Sequence, residues 1–572
     1  MSTSCRPPMH IHDVLIVGAG PCGLAVAARL REHTPSATFT DDEHQRYHWI
    51  RKHGNKMNIK NYRTNTDSLE SHSSYSQSTC GYQPDGKIDM LVLDADGPSW
   101  MSKWSRLFKT FEIDYLRSPM FFHVDPADRD ALLGYTYEHN MEKELQALSG
   151  CAGKEVSKHR KKKKMNRGRI SQSGPDIDER DRKDYFAPSS KLFRAHCDDV
   201  SYRYSLANDI IQHEKVVDVQ FKSTRAWEDG VHDSVISDDE LSDDQQIFRV
   251  TTDKYVRYSR IVVMAVGPGN APVIPPVTGI TPDIPHEGCS HTMQIKQYPP
   301  AHVAARVAQR LYTNVLIVGG GLTSIQLADL AIKRGVTKVW LLMRGGVKVK
   351  YFDVNLDWVG KFRNFNQAAF WSADTDEERF QMIAEARNGG SMTPRYRKIL
   401  DAYVASGKIS LHTHTTLQSL AWNPDLHQWT SATTAPALEF PPIDHVVFAT
   451  GIQSNIERLS ILDTMRKDCP IQYVGGLPCL NDDLMWADDV PLFLTGRLAG
   501  LRLGPGAPNL VGARVGAERI AWNVQDVLAR SERRNSAQDS SNSSEGSGDE
   551  KVTEYAAGRR NRFDSLVGIE AI

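Results

Sequence analysis

Two glycine turns carry the first legible chemistry. Gly18-Ala-Gly20-Pro21-Cys-Gly23 follows the apolar run Ile11–Val17 and precedes a helical pattern over 24–31, and Gly319-Gly-Gly321-Leu-Thr-Ser324 follows a second apolar run that begins at Asn314. Both spacings suit a pyrophosphate. The first glycine makes the tight turn, the second lets the backbone approach the anion, and the third position, Gly23 or the small Ser324, lets the helix pack on its strand while its first N–H groups face the ligand. The next strand after the first turn, 37–40, ends in Asp41, 18 residues beyond Gly23, where a carboxylate receives a ribose hydroxyl. The strand after the second turn, Lys338–Met343, ends instead in Arg344, with Lys348 and Lys350 close behind. A guanidinium pairs with a 2′-phosphate that a carboxylate would repel, so the second turn is predicted to prefer NADPH over NADH.

Each turn needs a strand before it and a helix after it, and each has a later partner: the buried runs Arg260-IVVMAVG and Asp444-HVVFATG, ending in small-x-Gly turns. The duplication predicts an α/β fold of two nested Rossmann-like dinucleotide-binding domains. The first is discontinuous over 10–145, 185–280 and 440–530, and the second is inserted at 285–435. Residues 146–184 form a polar basic insertion, with nine Lys or Arg over 154–169, and residues 228–244 carry eight Asp or Glu. Both read as solvated loops. Residues 531–550 hold a single alanine as their only apolar residue, which predicts a disordered linker before a C-terminal segment, 551–572, apolar enough to dock back. The aromatic residues Trp100, Trp104, Phe108, Phe111 and Tyr115 are spaced for one helix face and read as core rather than as a substrate box.

Composition removes other classes. The 572 residues allow three or four domains of about 150 residues each. Lys plus Arg number 69 against 70 for Asp plus Glu, so no global field favours nucleic acid or an anionic membrane. The eight cysteines form no C-x-x-C pair and no Cys/His cluster at metal spacing, so neither a dithiol relay nor a metal is expected. No apolar run reaches the roughly 18 residues of a spanning helix, and no signal core precedes Ile11. Cytoplasmic residence is the expectation, with no membrane and no nucleic-acid partner.

The two turns with Ala265-Val-Gly267 and Ala449-Thr-Gly451 resemble the two-dinucleotide-binding-domain flavoproteins, in which the N-terminal cradle holds FAD and the inserted one the nicotinamide cofactor. Disulfide reductases of that group carry a cysteine pair this chain lacks. Gly18-x-Gly20-Pro21-x-x-Leu24 and Asp444-x3-Ala449-Thr450-Gly451 resemble the motifs of the N-hydroxylating monooxygenases acting on ornithine and lysine, although Ile, not Tyr, follows Gly451. The stretch 284–293 is loosely similar to the F-x-G-x3-H fingerprint of other flavin monooxygenases, with His286 at the Phe place and His291 one residue early. With Leu116-Arg117-Ser-Pro119 and the run from Gly504 to Asn509, the chain looks most similar to flavoproteins related to the oxidative-stress-induced growth inhibitors.

The resemblance implies an FAD- and NADPH-dependent monooxygenase using dioxygen through a C4a-hydroperoxyflavin to oxidise nitrogen or sulfur of a small molecule. The alternatives are an NADPH-dependent flavin reductase with a non-oxygen acceptor and a cofactor-binding regulatory protein. It also implies cofactor contacts for Arg117, Gly451 and Asn509, the last at the start of a helix over 510–527 whose positive end would face the flavin. Because the cofactor carries the reaction, no catalytic residue is assigned. Neither the substrate nor the oligomeric state follows.

Overall fold

The computed structural model describes residues 10–32, 88–127, 129–148, 151, 185–223, 246–267, 272–281, 286–359, 363–434, 440–452 and 454–539. The chain enters on strand β1 (Ile11–Val17) and helix α1 (Pro21–Arg31), then returns through β2 (Met90–Asp94) and the short helix α2 (Ser102–Thr110). Strand β3 (Ile211–His213) follows, and β4 (Val216–Ser223), β5 (Gln246–Thr252) and β6 (Val256–Met264) form an antiparallel meander.

A second sheet then begins: β7 (Cys289–His291), β8 (Asn314–Val318), helix α3 (Leu322–Lys333), β9 (Lys338–Met343), helix α4 (Asp376–Arg387), β10 (Ile409–Thr413) and β11 (His445–Phe448). The chain goes back to the first sheet with β12 (Met485–Ala487) and β13 (Val490–Leu494) and ends its described part in helix α5 (Leu510–Asp539).

The first sheet has the order β12-β13-β6-β1-β2-β3, and the second, parallel throughout, β10-β9-β8-β11-β7. Val14–Val17, Val92, Leu93 and Ile261–Met264 are 5% exposed or less, as continuous apolar runs should be when helices cover both faces of a parallel sheet. Helix α1 packs on α5 over the first sheet, and Arg29 of α1 pairs with Glu518 of α5 at 2.7 Å. The fold class read from the sequence is the fold observed.

Three boundaries differ. The segment 440–452, expected in the first unit, belongs to the second sheet: Val315–Val318 pair in parallel with His445–Phe448. Both small-x-Gly strands look alike in sequence, and each closes the sheet of its own glycine turn, β6 beside β1 and β11 beside β8. Helix α5 runs to Asp539, nine residues into the stretch expected to be disordered. A nucleated helix propagates at little cost through Ala, Arg, Glu and Gln, which need no apolar face to do so. Helix α2 stops at Thr110, so the five aromatics do not share one helix.

The basic run 154–169, the acidic run 228–244, Asp41, and residues 540–572 lie outside the described residues. The ends of the basic insertion, Leu145–Ala147 and Phe186–Pro188, pair antiparallel.

Candidate active site

The first glycine turn sits at the C-terminal edge of β1, where β6 crowds it. Gly18 has φ 111°, and a Cβ there would stand 2.6 Å from the Ala265 carbonyl oxygen; a Cβ on Gly23 would stand 2.0 Å from the Gly18 carbonyl oxygen. These two glycines are required by backbone packing. Gly20 is different: a Cβ on it meets nothing within 4 Å. Its open side faces a cleft of about 790 Å³ lined by Gly18, Gly20, Pro21 and Cys22, within the size range of small-molecule sites. Pro21 opens α1 at a position where its missing N–H costs nothing.

Asp94, at the end of β2, borders the same cleft. One carboxylate oxygen accepts the Ala19 N–H of the glycine turn at 2.7 Å, and the other accepts from Asp96 and Gly97 at 2.7 and 3.2 Å. β2 is the strand paired with β1 on this side, so Asp94 holds the position at which Asp41 was expected to act. Sequence reasoning missed it because β2 lies far beyond the run 37–40 that the sequence reads as the next strand, a run outside the described residues. The available signal was the apolar run Met90–Asp94 ending in a carboxylate before Gly97.

The opposite wall comes from α5. Pro508, Asn509 and Leu510 line the cleft, and Asn509 Oδ1 accepts the Val511 N–H at 3.2 Å, so the N-terminal end of this helix borders the site. Trp104 and Phe108 of α2, stacked at 3.8 Å, and Leu107, Leu116 and Leu459 make an apolar wall. Trp100 and Phe111 are buried, Phe111 among the side chains of the second core, so the expected core set is divided and two of its members face the cleft. The second unit reaches the same cleft with Met293 and Ile452, the latter just past Gly451 (φ 82°).

Arg117 borders the cleft, but its guanidinium is committed elsewhere. It donates to the carbonyls of Lys350, Tyr351, Phe352 and Ser391 and to Ser391 Oγ at 2.7–3.3 Å, which makes it a link between units, where a cofactor contact was expected of it. Burial lowers its pKa to about 10. His291 is fully buried; its Nε2–H donates to the Gly451 carbonyl at 2.9 Å and its Nδ1 accepts the Met293 N–H, the pattern of a neutral loop histidine. Burial pushes the Cys22 thiol up to about 11, so it is not a nucleophilic thiolate.

The second turn repeats the packing. Gly319 has φ 147°, and a Cβ there would stand 2.3 Å from the Ala449 carbonyl oxygen. Gly321 precedes the first turn of α3 and lies against Gly390. The buried Ser324 Oγ, which a Cβ on Gly319 would approach to 2.8 Å, has no hydrogen-bond partner among the described residues. Arg344 is exposed at the end of β9, and no ion pair or hydrogen bond engages it among the described residues. Lys348 and Lys350 donate to the carbonyls of Asn388, Ala386 and Arg387 at the C-terminal end of α4. Of the three cations predicted near a 2′-phosphate, Arg344 has its donors open.

No helix among the described residues is long and apolar enough to cross a membrane. No protein-family model matches the chain, and none of the curated proteins matches it. Solved structures do. The ornithine hydroxylase PvdA from Pseudomonas aeruginosa aligns over 91% of this chain and 100% of its own, with TM-score 0.55 and 14% identity. The ornithine N-hydroxylase KtzI of Kutzneria sp. 744, with reduced FAD, NADP+ and L-ornithine, aligns over 91% and 100% with TM-score 0.56 and 14% identity. DfoA of Erwinia amylovora, a cadaverine monooxygenase bound to FAD, aligns over 90% and 95% with TM-score 0.54 and 12% identity. The chain therefore shares its fold with these three proteins.

Proposed function

We propose that the chain is an FAD- and NADPH-dependent monooxygenase that places one oxygen atom from dioxygen on a nucleophilic nitrogen or sulfur of a small molecule, acting in the cytoplasm. The observation that carries this reading is one cleft bordered both by the first glycine turn and by Met293 and Ile452 of the second unit, so a flavin held at the first and a nicotinamide delivered by the second would meet there.

The residues present fit both groups. The open side of Gly20 leaves room for a diphosphate beside the N–H groups of α1, and Asp94, on the strand beside β1, would receive a ribose hydroxyl. Gly319, Gly321 and the unpartnered Ser324 hydroxyl form the second cradle, with Arg344 open to a 2′-phosphate. When bound, the nicotinamide supplies hydride and the reduced flavin the electrons that activate dioxygen. The chain's part is to bind, orient and keep water out: the N-terminal end of α5 at Asn509 would favour negative charge on a ring held in the cleft, and Trp104, Phe108, Leu116 and Met293 form an apolar wall. The high pKa of Cys22 disfavours a thiol-based reductase.

The test is NADPH-driven oxygen uptake by the yellow protein against a panel of amines, amino acids and sulfides. The expected result is uptake that rises with one class and yields its hydroxylated or S-oxygenated product. NADPH oxidation that no member accelerates, with all oxygen recovered as hydrogen peroxide, would overturn the reading.

A further inference from the structure

We propose a binding site for a zinc-class divalent cation at the end of the first sheet opposite the glycine turn, formed by His10, His12 and Asp89. The turn lies past the C-terminal end of β1 and this cluster at its start, separated by seven residues, or roughly 23 Å of strand. The site is independent of the flavin cleft and of the proposed reaction.

Strand geometry builds it. His10 and His12 are two residues apart, so an extended backbone turns both imidazoles to one face of the sheet. The parallel register of Val14 with Met90 brings Asp89 in beside the start of β1, although it is 77 residues from His12 in the chain. His10 Nε2 and His12 Nδ1 stand 2.7 and 2.8 Å from the same oxygen, Asp89 Oδ2, and the three ligand atoms all lie within 4.8 Å of one another. Two imidazole nitrogens and one carboxylate oxygen are a borderline donor set suited to zinc, cobalt or nickel rather than to calcium or magnesium. Around a tetrahedral ion with bonds of about 2.0–2.1 Å, such atoms sit about 3.3 Å apart, so an opening of roughly 0.6 Å admits the metal. The exposure of His10 leaves the fourth position to water.

Supporting groups are in place. The Asp89 N–H donates to Asp13 Oδ2 at 2.9 Å, and Asp13 is itself paired with Arg260 at 2.6 Å. Arg257, which acts on His12, is paired with Glu214, and Arg31 at the end of α1 acts on Asp89, a charge with which the incoming ion competes for that carboxylate. The ion would tie the start of β1 to the start of β2. The H-x-H spacing was visible in the sequence, but only the sheet register supplies the third ligand.

The experiment uses the full-length, tag-free protein after dialysis against a chelator. Calorimetric titration with zinc chloride and absorption titration with cobalt(II), read in the red beyond the flavin bands, are run on the unmodified chain and on His10→Ala, His12→Ala and Asp89→Asn. We expect one equivalent to bind with tetrahedral cobalt bands and a thermal midpoint raised by zinc. His10→Ala should weaken binding at least tenfold, and Asp89→Asn should remove the cobalt bands. His10 is exposed, so its variant keeps the test decisive if a change at His12 disturbs folding. No uptake by the unmodified chain, or uptake that His10→Ala leaves unchanged, overturns the proposal.

Discussion

Gly20 separates binding from folding more cleanly than its neighbours do. A side chain on Gly18 or Gly23 would collide with backbone oxygens at 2.6 and 2.0 Å, so substitution there costs the fold as well as the ligand. A Cβ on Gly20 meets no protein atom within 4 Å and borders the cleft, where the proposed diphosphate would lie. Gly20→Val is therefore expected to fold with an unchanged melting temperature and to purify colourless; full flavin occupancy in this variant would refute the assignment of the first turn to FAD. Arg344 offers a second single-residue test. Charge-assisted hydrogen bonds to a 2′-phosphate are worth about 1.5–3 kcal/mol, so NADPH should be preferred by about tenfold or more. Arg344→Ala should abolish that preference, because Lys348 and Lys350 are already engaged by carbonyls at the end of α4. Stopped-flow flavin reduction with NADH and NADPH measures it, and equal affinities in the unmodified chain would refute it. The glycine turns and the place of Arg344 at the end of β9 were legible because a turn between strand and helix is a local event. Asp94 was not, because its role depends on which strand lies beside β1.

At the level of elements, the strand–turn–helix units were readable and their partnership was not. The expected strands Ile11–Val17 and Lys338–Met343 are the observed ones to the residue. The run before Ala449 was assigned to the wrong sheet because two similar apolar strands ending in small-x-Gly differ only in their long-range pairing. What decides the pairing is Asp444, which is 1% exposed. Its Oδ2 accepts the Asn314 N–H at the start of β8 at 2.7 Å, its Oδ1 accepts from Gln428 at 2.9 Å, and Arg306 pairs with it at 3.0 Å. Truncation would strand a buried N–H and a guanidinium, at a cost of about 3 kcal/mol. Asp444→Ala should thus lower the unfolding free energy obtained from denaturant titration by that amount while flavin binding in the first unit persists; Asp444→Asn, which keeps an acceptor, should lose less. A change below about 0.5 kcal/mol in the alanine variant, the ordinary surface range, would show that the pin is not what joins β11 to β8.

Across the whole molecule, the proposed reaction requires the two units to hold one orientation for hydride to pass between them, and a small set of side chains spans the gap. Arg117 of the first unit donates to carbonyls of 350–352 and 391 in the second. Phe352, Val354 and Val359 of that same second-unit stretch pack into the first core. Arg497 donates to the Ile452 carbonyl at 3.0 Å, and Asp353 pairs with Arg387 at 3.1 Å while accepting from Asn509 at 3.4 Å, beside the helix end that faces the cleft. The guanidinium fork of Arg117 is what lets one side chain serve acceptors on separate loops, and an ammonium offers no such planar spread. Arg117→Lys keeps the charge and loses the geometry. Because a misplacement of about 1 Å can cost about a hundredfold in rate, NADPH-driven flavin reduction should slow by about ten- to a hundredfold in this variant. Flavin content and the Kd for NADPH should change little, since neither glycine turn is touched. Stopped-flow reduction, with NADPH affinity taken from its concentration dependence, separates the two effects. A variant that binds NADPH poorly but reduces its flavin at the normal limiting rate would return Arg117 to the role of a cofactor-phosphate ligand. One that reduces slowly at full occupancy would make it the residue that positions one unit on the other.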